Sequence, residues 1–453
     1  MTAILIDHAD VVVTMDDARR ELPDASVLMQ DRAIKHVAPA AEFTAQQRAQ
    51  CELVDARGTV VTPGLVNTHN HLYQTITRVA PAGQDGTLFE WLRALYPVWA
   101  HLRPPDVYAA VRLGLAELAL SGCTLCADHH YLFPNGVRLD DTIDAARTIG
   151  LRFHATRGAL SVGESDGGLP PDAVVEREAD IINDTIRVID QFHDPSPAAM
   201  LQIGAAPCSP FSVSTDLMRE TAALADDKGV MLHTHLAENH EDIEYCQEVF
   251  GCGPGDYLES LGWTGPHVWC AHCVKLSDAE LDLFGRTGVG VAHCPTSNGR
   301  LGSGIAPLVK MLSKGVRVGL GVDGASSNDA GHLLLEARLA LLMQRAQSGA
   351  HALSARQALE VATRGGADVL GRPECGRIDV GKRADIVLWP VDSLQVAGAL
   401  DPVAALVLCA PIMARDVFVE GRAIVRDGRL TRSDHQEIIV QANTSSQRLA
   451  ALF

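Results

Sequence analysis

The sequence predicts an α/β fold: a (β/α)8 barrel of the TIM type, with a small discontinuous β-domain formed by both chain ends. Three observations carry this. Between residues 61 and 374, short apolar strands ending in polar or reactive residues alternate with helical stretches. About eight such strands over about 310 residues are what a parallel barrel requires. Residues 1–60 and 375–453 have a different texture, with apolar runs of four to six residues between Asp- and Gly-rich turns.

The N-terminal part reads as the strands Ile4–Ile6, Val11–Met15 and Ala25–Met29. At the far end, Arg377–Trp389 reads as two strands around a Gly-Lys turn, and Val417–Val425 as a hairpin turning at Glu420-Gly421. The barrel strands are expected at 59–68, 123–130, 151–158, 200–206, 229–236, 267–273, 288–294 and 316–323. Between them, stretches such as Asp106–Leu120 have helical spacing of their apolar residues.

Composition narrows the function. A chain of 453 residues with 47% hydrophobic and 21% charged residues is globular. A net charge of −18 argues against nucleic acid and anionic membranes as partners, since both need clustered Lys and Arg. It suits a small neutral or cationic substrate. The N-terminus shows no basic-then-apolar leader, and no apolar run reaches membrane length. Eleven cysteines without small-scaffold spacing read as reduced thiols, so a cytoplasmic location is expected.

In such a barrel the chemistry sits at the C-terminal ends of the strands. The first delivers His69 and His71, which as i and i+2 on a strand point to one side. The fifth delivers His235 and, three residues on, Glu238. The sixth ends at His272 and the eighth at Asp323. Imidazoles with one carboxylate make a ligand set for zinc, or for iron(II), with water completing the shell. Glu238 is placed to take a proton from that water and pass it on. His233 lies one layer deeper and reads as a supporting or packing residue.

Two motifs are set aside. Gly319–Gly324 matches a dinucleotide fingerprint but comes late in the alternation and does not open a βαβ unit. Cys123/Cys126 and Cys270/Cys273 would point to opposite faces of their strands, so they read as buried small hydrophobes.

The runs Pro63–His71, His235–Glu238, His293–Asn298, Asp323–Asp329 and Gly376–Asp385 together resemble the amidohydrolase superfamily, in its branch of cytosine, guanine and triazine deaminases and hydrolases. The resemblance spans nearly the whole chain and implies a barrel flanked by a two-part β-sandwich domain. It implies that His69, His71, His235 and Asp323 bind one divalent metal, one Zn2+ per subunit with Fe2+ as the alternative. It further implies that Glu238 is the proton shuttle and that His272 polarises the attacking water, with Asp323 helping to deprotonate it. Members with two metals carry a lysine at the end of strand four; Met200–Cys208 has none, so one metal is expected.

Within the branch, His69–Arg78, Leu88–Leu92, Ala271–Val274 and Gly290–Pro295 are most similar to 8-oxoguanine deaminases. That implies 8-oxoguanine to urate plus ammonia, with guanine or isocytosine as slower substrates. Pterin deaminases acting on isoxanthopterin and triazine hydrolases are the alternatives, and a barrel scaffold without turnover is the rival of another class. A flat aminated ring needs stacking surfaces and hydrogen-bonding groups. Candidates are Tyr73, Gln74, Trp91, His129, Arg157 and Cys208. Gln74 both donates and accepts. Trp91 would stack or else belong to a helix core, and Arg157 would hold a ring carbonyl or else pair with a carboxylate. Superfamily relatives are often dimers, so a homo-oligomer is a further expectation.

Overall fold

A computed structural model describes residues 3–453. Met1 and Thr2, which open the stretch read for a leader, lie outside the described residues. The N-terminal strands are Ala3–Val13 (β1), Glu21–Gln30 (β2), Ala33–Pro39 (β3), Cys51–Asp55 (β4) and Thr59–Pro63 (β5). The barrel strands follow: Leu65–Asn67 (β6), Cys123–His130 (β7), Arg152–Ala159 (β8), Leu201–Pro207 (β9), Leu232–Leu236 (β10), Val268–His272 (β11), Gly290–His293 (β12) and Arg317–Leu320 (β13). The chain closes with Ile386–Pro390 (β14), Asp416–Val419 (β15), Arg422–Arg426 (β16) and Arg429–Leu430 (β17).

Strands β6 to β13 form a closed parallel barrel. The other nine form one mixed sheet in the order β17-β16-β15-β14-β5-β1-β2-β3, with β4 also pairing β1. Both chain ends therefore build a single sheet. Its core joins Ile6, Val27 and Ile34 from one end to Ile386, Leu388 and Phe418 from the other.

Three expectations are corrected in detail. The run 59–68 is two strands: Thr59–Pro63 pairs with β1 and β14, while Leu65–Asn67 enters the barrel. The break falls at Gly64, where a Cβ would lie 1.9 Å from the Thr124 hydroxyl. Ile4–Ile6 and Val11–Val13 belong to one long strand interrupted by a bulge, with His8 at φ 59°, and Thr14 and Met15 lie beyond its end. Of the two strands expected in Arg377–Trp389, only β14 forms. The β15–β16 hairpin matches its expectation. Its turn residues Glu420 and Gly421 have φ of 54° and 67°, as a mirror-image turn requires.

A buried ion cluster ties the sheet to the bottom of the barrel. Arg152, first residue of β8, holds Asp385 at 3.0 Å and also pairs with Glu420. The charges are buried but mutually compensated, which is the condition for tolerating them there. No helix of the described residues is long and apolar enough to cross a membrane. All eleven cysteines are free thiols.

Candidate metal centre and active site

His69, His71, His235, His272, Glu238 and Asp323 all meet at one end of the barrel, at or just past the ends of β6, β10, β11 and β13. His69 and His71 lie beyond the last residue of β6, in the extended segment that follows, and Asp323 lies three residues past β13. Backbone bonds lock these segments together. Asp323 N–H donates to the His69 carbonyl at 3.1 Å, and Val322 N–H donates to Asn67 Oδ1 at 2.9 Å. Ala237, His272 and Asp323 have φ of 51°, 70° and 63°. Left-handed backbone at three non-glycine positions is strain that the surrounding bonds must hold, and it aims the three strand ends inward.

The imidazole tautomers follow from their partners. His71 Nδ1 donates to the His129 carbonyl at 2.7 Å, and His235 Nδ1 to the Cys208 carbonyl at 2.6 Å. His233 Nδ1 donates to the Trp269 carbonyl at 2.9 Å, which leaves its Nε2 to accept from His69 Nδ1 at 2.8 Å. All three Nε2 atoms of His69, His71 and His235 therefore present lone pairs to the same space. His71 Nε2 and His235 Nε2 are 3.0 Å apart, and Asp323 Oδ1 lies 3.2 Å from His69 Nε2 and 3.3 Å from His71 Nε2. His69 Nε2 is buried without a hydrogen-bond partner among the described residues.

Converging lone pairs repel unless a cation sits between them. The separations match the ~3.3 Å edge of a tetrahedron with bonds of ~2.0–2.1 Å, as zinc makes with nitrogen and oxygen. Burial, aided by the neighbouring imidazoles, pushes His71 down to about 3 and His235 well below the ordinary histidine range. The rings stay neutral, the form that ligates a metal. Burial acts to raise Asp323, but the nearby His69, His272 and His71 act more strongly to lower it, and the donors Gly324 N–H and Ser327 hydroxyl favour the same ionised form. His69, His71, His235 and Asp323, with His129 and His272 close by, form a His-rich site that could hold a divalent metal.

Glu238 has the opposite environment. Burial, then the negative charge of Asp323, lifts its carboxyl well above the usual range. Its backbone N–H is held by Asp242 Oδ2 at 2.8 Å. His272 Nδ1 donates to Asn298 Oδ1 at 2.9 Å, which turns Nε2 toward Glu238 Oε2 at 3.4 Å and Asp323 Oδ2 at 3.9 Å. Asp323 is itself steadied by Gly324 N–H at 2.7 Å and the Ser327 hydroxyl at 3.3 Å. Two carboxyl groups with pKa values driven apart thus face one imidazole, an arrangement suited to proton transfer.

The cavity over this centre is about 40 Å3, with walls that include Trp91, Tyr96, Tyr131, Cys208, Phe211 and Leu301. Ligand pockets usually exceed ~300 Å3, so this one is tightly closed over the centre. Of the expected substrate-binding residues, Trp91 and Cys208 line it. Trp91 does so from a helix, Leu88–Trp99, with its Nε1–H on the Ser326 carbonyl at 3.0 Å.

The other four are not brought to the cavity wall. Tyr73 is buried edge-on against Trp99, His130 and Tyr131. Gln74 lies beside Gly324, whose Cβ would fall 1.9 Å from Gln74 Oε1. His129 stacks on the back of His235 at 4.8 Å and bonds the Ala206 carbonyl at 2.9 Å. Of the two readings of Arg157, its contacts follow the second. Its guanidinium is used by Glu176 at 2.7 Å, Asp184 at 3.2 Å and the Gly158 carbonyl at 2.7 Å, so it has taken the carboxylate-pairing alternative. Sequence reasoning gave no role to Asn298 and Ser327, although both lie inside motifs it singled out, nor to Tyr96, Phe211 and Leu301, which look like ordinary apolar residues.

Residues 60–424 match the model of the amidohydrolase family. The chain is 45% identical to the 8-oxoguanine deaminase of Pseudomonas aeruginosa, over 90% of this chain and 91% of that protein. It is 37% identical to an isoxanthopterin deaminase from an unknown prokaryotic organism, over 85% of each. The structure superimposes with a TM-score of 0.93 on the atrazine chlorohydrolase TrzN of Arthrobacter aurescens complexed with zinc, at 34% identity and covering 98% and 100% of the two chains.

Proposed function

The chain belongs to the amidohydrolase family as a metal-dependent deaminase, and we propose from that premise that it converts 8-oxoguanine to urate and ammonia. The observation that carries the chemistry is the convergence of three Nε2 lone pairs and one carboxylate beside a buried carboxyl whose environment favours the protonated form.

His69, His71, His235 and Asp323 would hold the metal, zinc by analogy with the zinc-bound relative, or iron(II). When bound, such an ion lowers the pKa of water to roughly 7. The protein's own groups do the rest. Asp323 and His272 take up the proton released as water attacks the carbon bearing the exocyclic amine. Glu238, whose burial favours its protonated form, delivers a proton to the adjacent ring nitrogen and then carries the second water proton to the leaving amine; the proton held by Asp323 and His272 then returns to Glu238, which restores the starting state. The products are the ring carbonyl compound and ammonia. Asn298 fixes His272, and His233 fixes His69.

Trp91, Tyr96, Tyr131 and Phe211 give the cavity the aromatic walls that a flat ring stacks against. The identity to the P. aeruginosa enzyme favours 8-oxoguanine; the relation to an isoxanthopterin deaminase keeps pterins as the second reading. The eleven free thiols suit a reducing cytoplasm.

Ammonia release from 8-oxoguanine, guanine, isocytosine, isoxanthopterin and melamine tests the assignment. The highest kcat/KM is expected on 8-oxoguanine. Release from isoxanthopterin above all others moves the reading to pterins, and no release from any of the first four refutes it.

A further inference from the structure

A second cavity, of about 540 Å3, lies at the opposite end of the barrel from the metal centre. It opens where β8 and β9 begin, between the helices Leu139–Ile149 and Glu178–Phe192 and the β15–β16 hairpin. Its floor is apolar and includes Leu151, Phe153, Phe192, Met200 and Ile424. Four arginines stand around it: Arg32, Arg147, Arg422 and Arg432.

The charge balance of this site departs from that of the whole chain. The protein carries −18 overall, yet the cavity is ringed by cations. Of its two acids, Glu420 is already neutralised from inside by Arg152 and Arg383. Asp194 accepts the Ser196 N–H at 2.9 Å. Arg147 is shared between Asp144 at 3.1 Å and the face of Phe192 at 5.6 Å. Neither Arg422 nor Arg432 has a carboxylate within ion-pairing distance among the described residues. Unspent guanidinium groups beside an apolar floor are an arrangement for a ligand with both features: the fork geometry takes a carboxylate or phosphate, and the floor takes an apolar or aromatic body. The volume falls in the range of small-molecule sites.

We propose that this cavity binds a small organic anion, an acidic head group on an apolar or aromatic body. Arg422 and Arg432 hold the head group. The body lies on Phe153, Phe192 and Ile424. Because its walls come from the barrel and from the terminal sheet, an occupant bridges the two.

The fluorescent anion 8-anilino-1-naphthalenesulfonate is a suitable probe, titrated into the full-length folded protein. One saturable site is expected, with affinity falling as salt rises, and with the neutral N-phenyl-1-naphthylamine at least tenfold weaker. The double variant Arg422→Ala/Arg432→Ala should lose at least tenfold in affinity while keeping its circular dichroism spectrum. Ala423→Trp, which fills the cavity and keeps both arginines, should abolish binding, so that a folding defect in one variant does not decide the matter. Adenosine monophosphate and octanoate as competitors separate a phosphate from a carboxylate source; displacement by either supports the site and names the head group. No binding to the parent protein, unchanged affinity in both variants, or displacement by neither competitor overturns the proposal.

Discussion

Replacing Glu238 by Gln changes one atom of a buried side chain and separates its two properties, shape and proton. Glu238 Oε2 is 3.4 Å from His272 Nε2, and Oε1 is buried without a hydrogen-bond partner among the described residues. The amide keeps both positions filled, and it contributes nothing to the four-donor set, so bound metal per subunit should not change. It carries no exchangeable acid proton at neutral pH. Loss of a positioned proton carrier costs about 10²- to 10⁴-fold in rate, or about 2.7–5.5 kcal/mol in the barrier. Ammonia release should fall by that factor at saturating substrate.

A second readout comes from stability in the metal-free state. The folded carboxyl has its pKa raised above the unfolded value, by burial first and the Asp323 charge second. Between those two values the folded chain binds the extra proton, so this group costs stability as pH rises above ~4.5. Gln removes that cost. Metal-free E238Q should match the parent near pH 4.5 and exceed it progressively toward pH 8 in urea unfolding. Retained turnover above one tenth, or a variant that loses stability against the parent as pH rises, would refute the reasoning.

Other perturbations test the scaffold. Arg152→Met strands Asp385 in the interior and leaves Glu420 with Arg383 alone, and removing one partner of such a pair costs about 3–5 kcal/mol; denaturant unfolding measures it, and a loss under 1 kcal/mol speaks against the cluster as a tie. Burial, with the charges of Arg372 and His193, pushes His154 down to about 3, and neither ring nitrogen has a hydrogen-bond partner among the described residues. Its stabilising neutrality is complete above the unfolded value of ~6.5 and is lost as pH falls from there toward 3, at up to ~1.4 kcal/mol per pH unit. His154→Phe should flatten the fall in stability between pH 6.5 and 4.5, and an unchanged slope counts against it. Gly324→Ala drives a Cβ to 1.9 Å from Gln74 Oε1 and should cost about 1–3 kcal/mol. Gln74→Ala should rescue it; a double variant no better than Gly324→Ala alone means the clash lies elsewhere.

What could be read in advance was what side-chain type and strand period encode. His69, His71, His235, His272 and Asp323 stand out because few positions tolerate buried imidazole and carboxylate without a purpose, and each follows an apolar run. The tautomer control could not be read, because three of its acceptors are backbone carbonyls, at His129, Cys208 and Trp269. Any residue supplies a carbonyl. Asn298 acts on His272 across 26 positions, a relation that only the closed barrel creates. The two readings of Arg157 could not be separated in advance, because a strand-end arginine looks the same whether it faces the mouth or the acids Glu176 and Asp184. The division of 59–68 was hidden in a run that suits either sheet, and the partners of each half, on β14 and β7, lie elsewhere in the chain.

The single sheet assembled from both chain ends has a consequence for biosynthesis. Strand β5 lies between β1 and β14, and Pro63 pairs with Ile386. At ~5–20 residues per second on the ribosome, the roughly 320 residues between those partners take on the order of 15–65 s to emerge. Throughout that interval β5, with Val60 and Val61 on it, offers an open edge to any passing strand. The emerging chain must keep that edge free while the entire barrel is made.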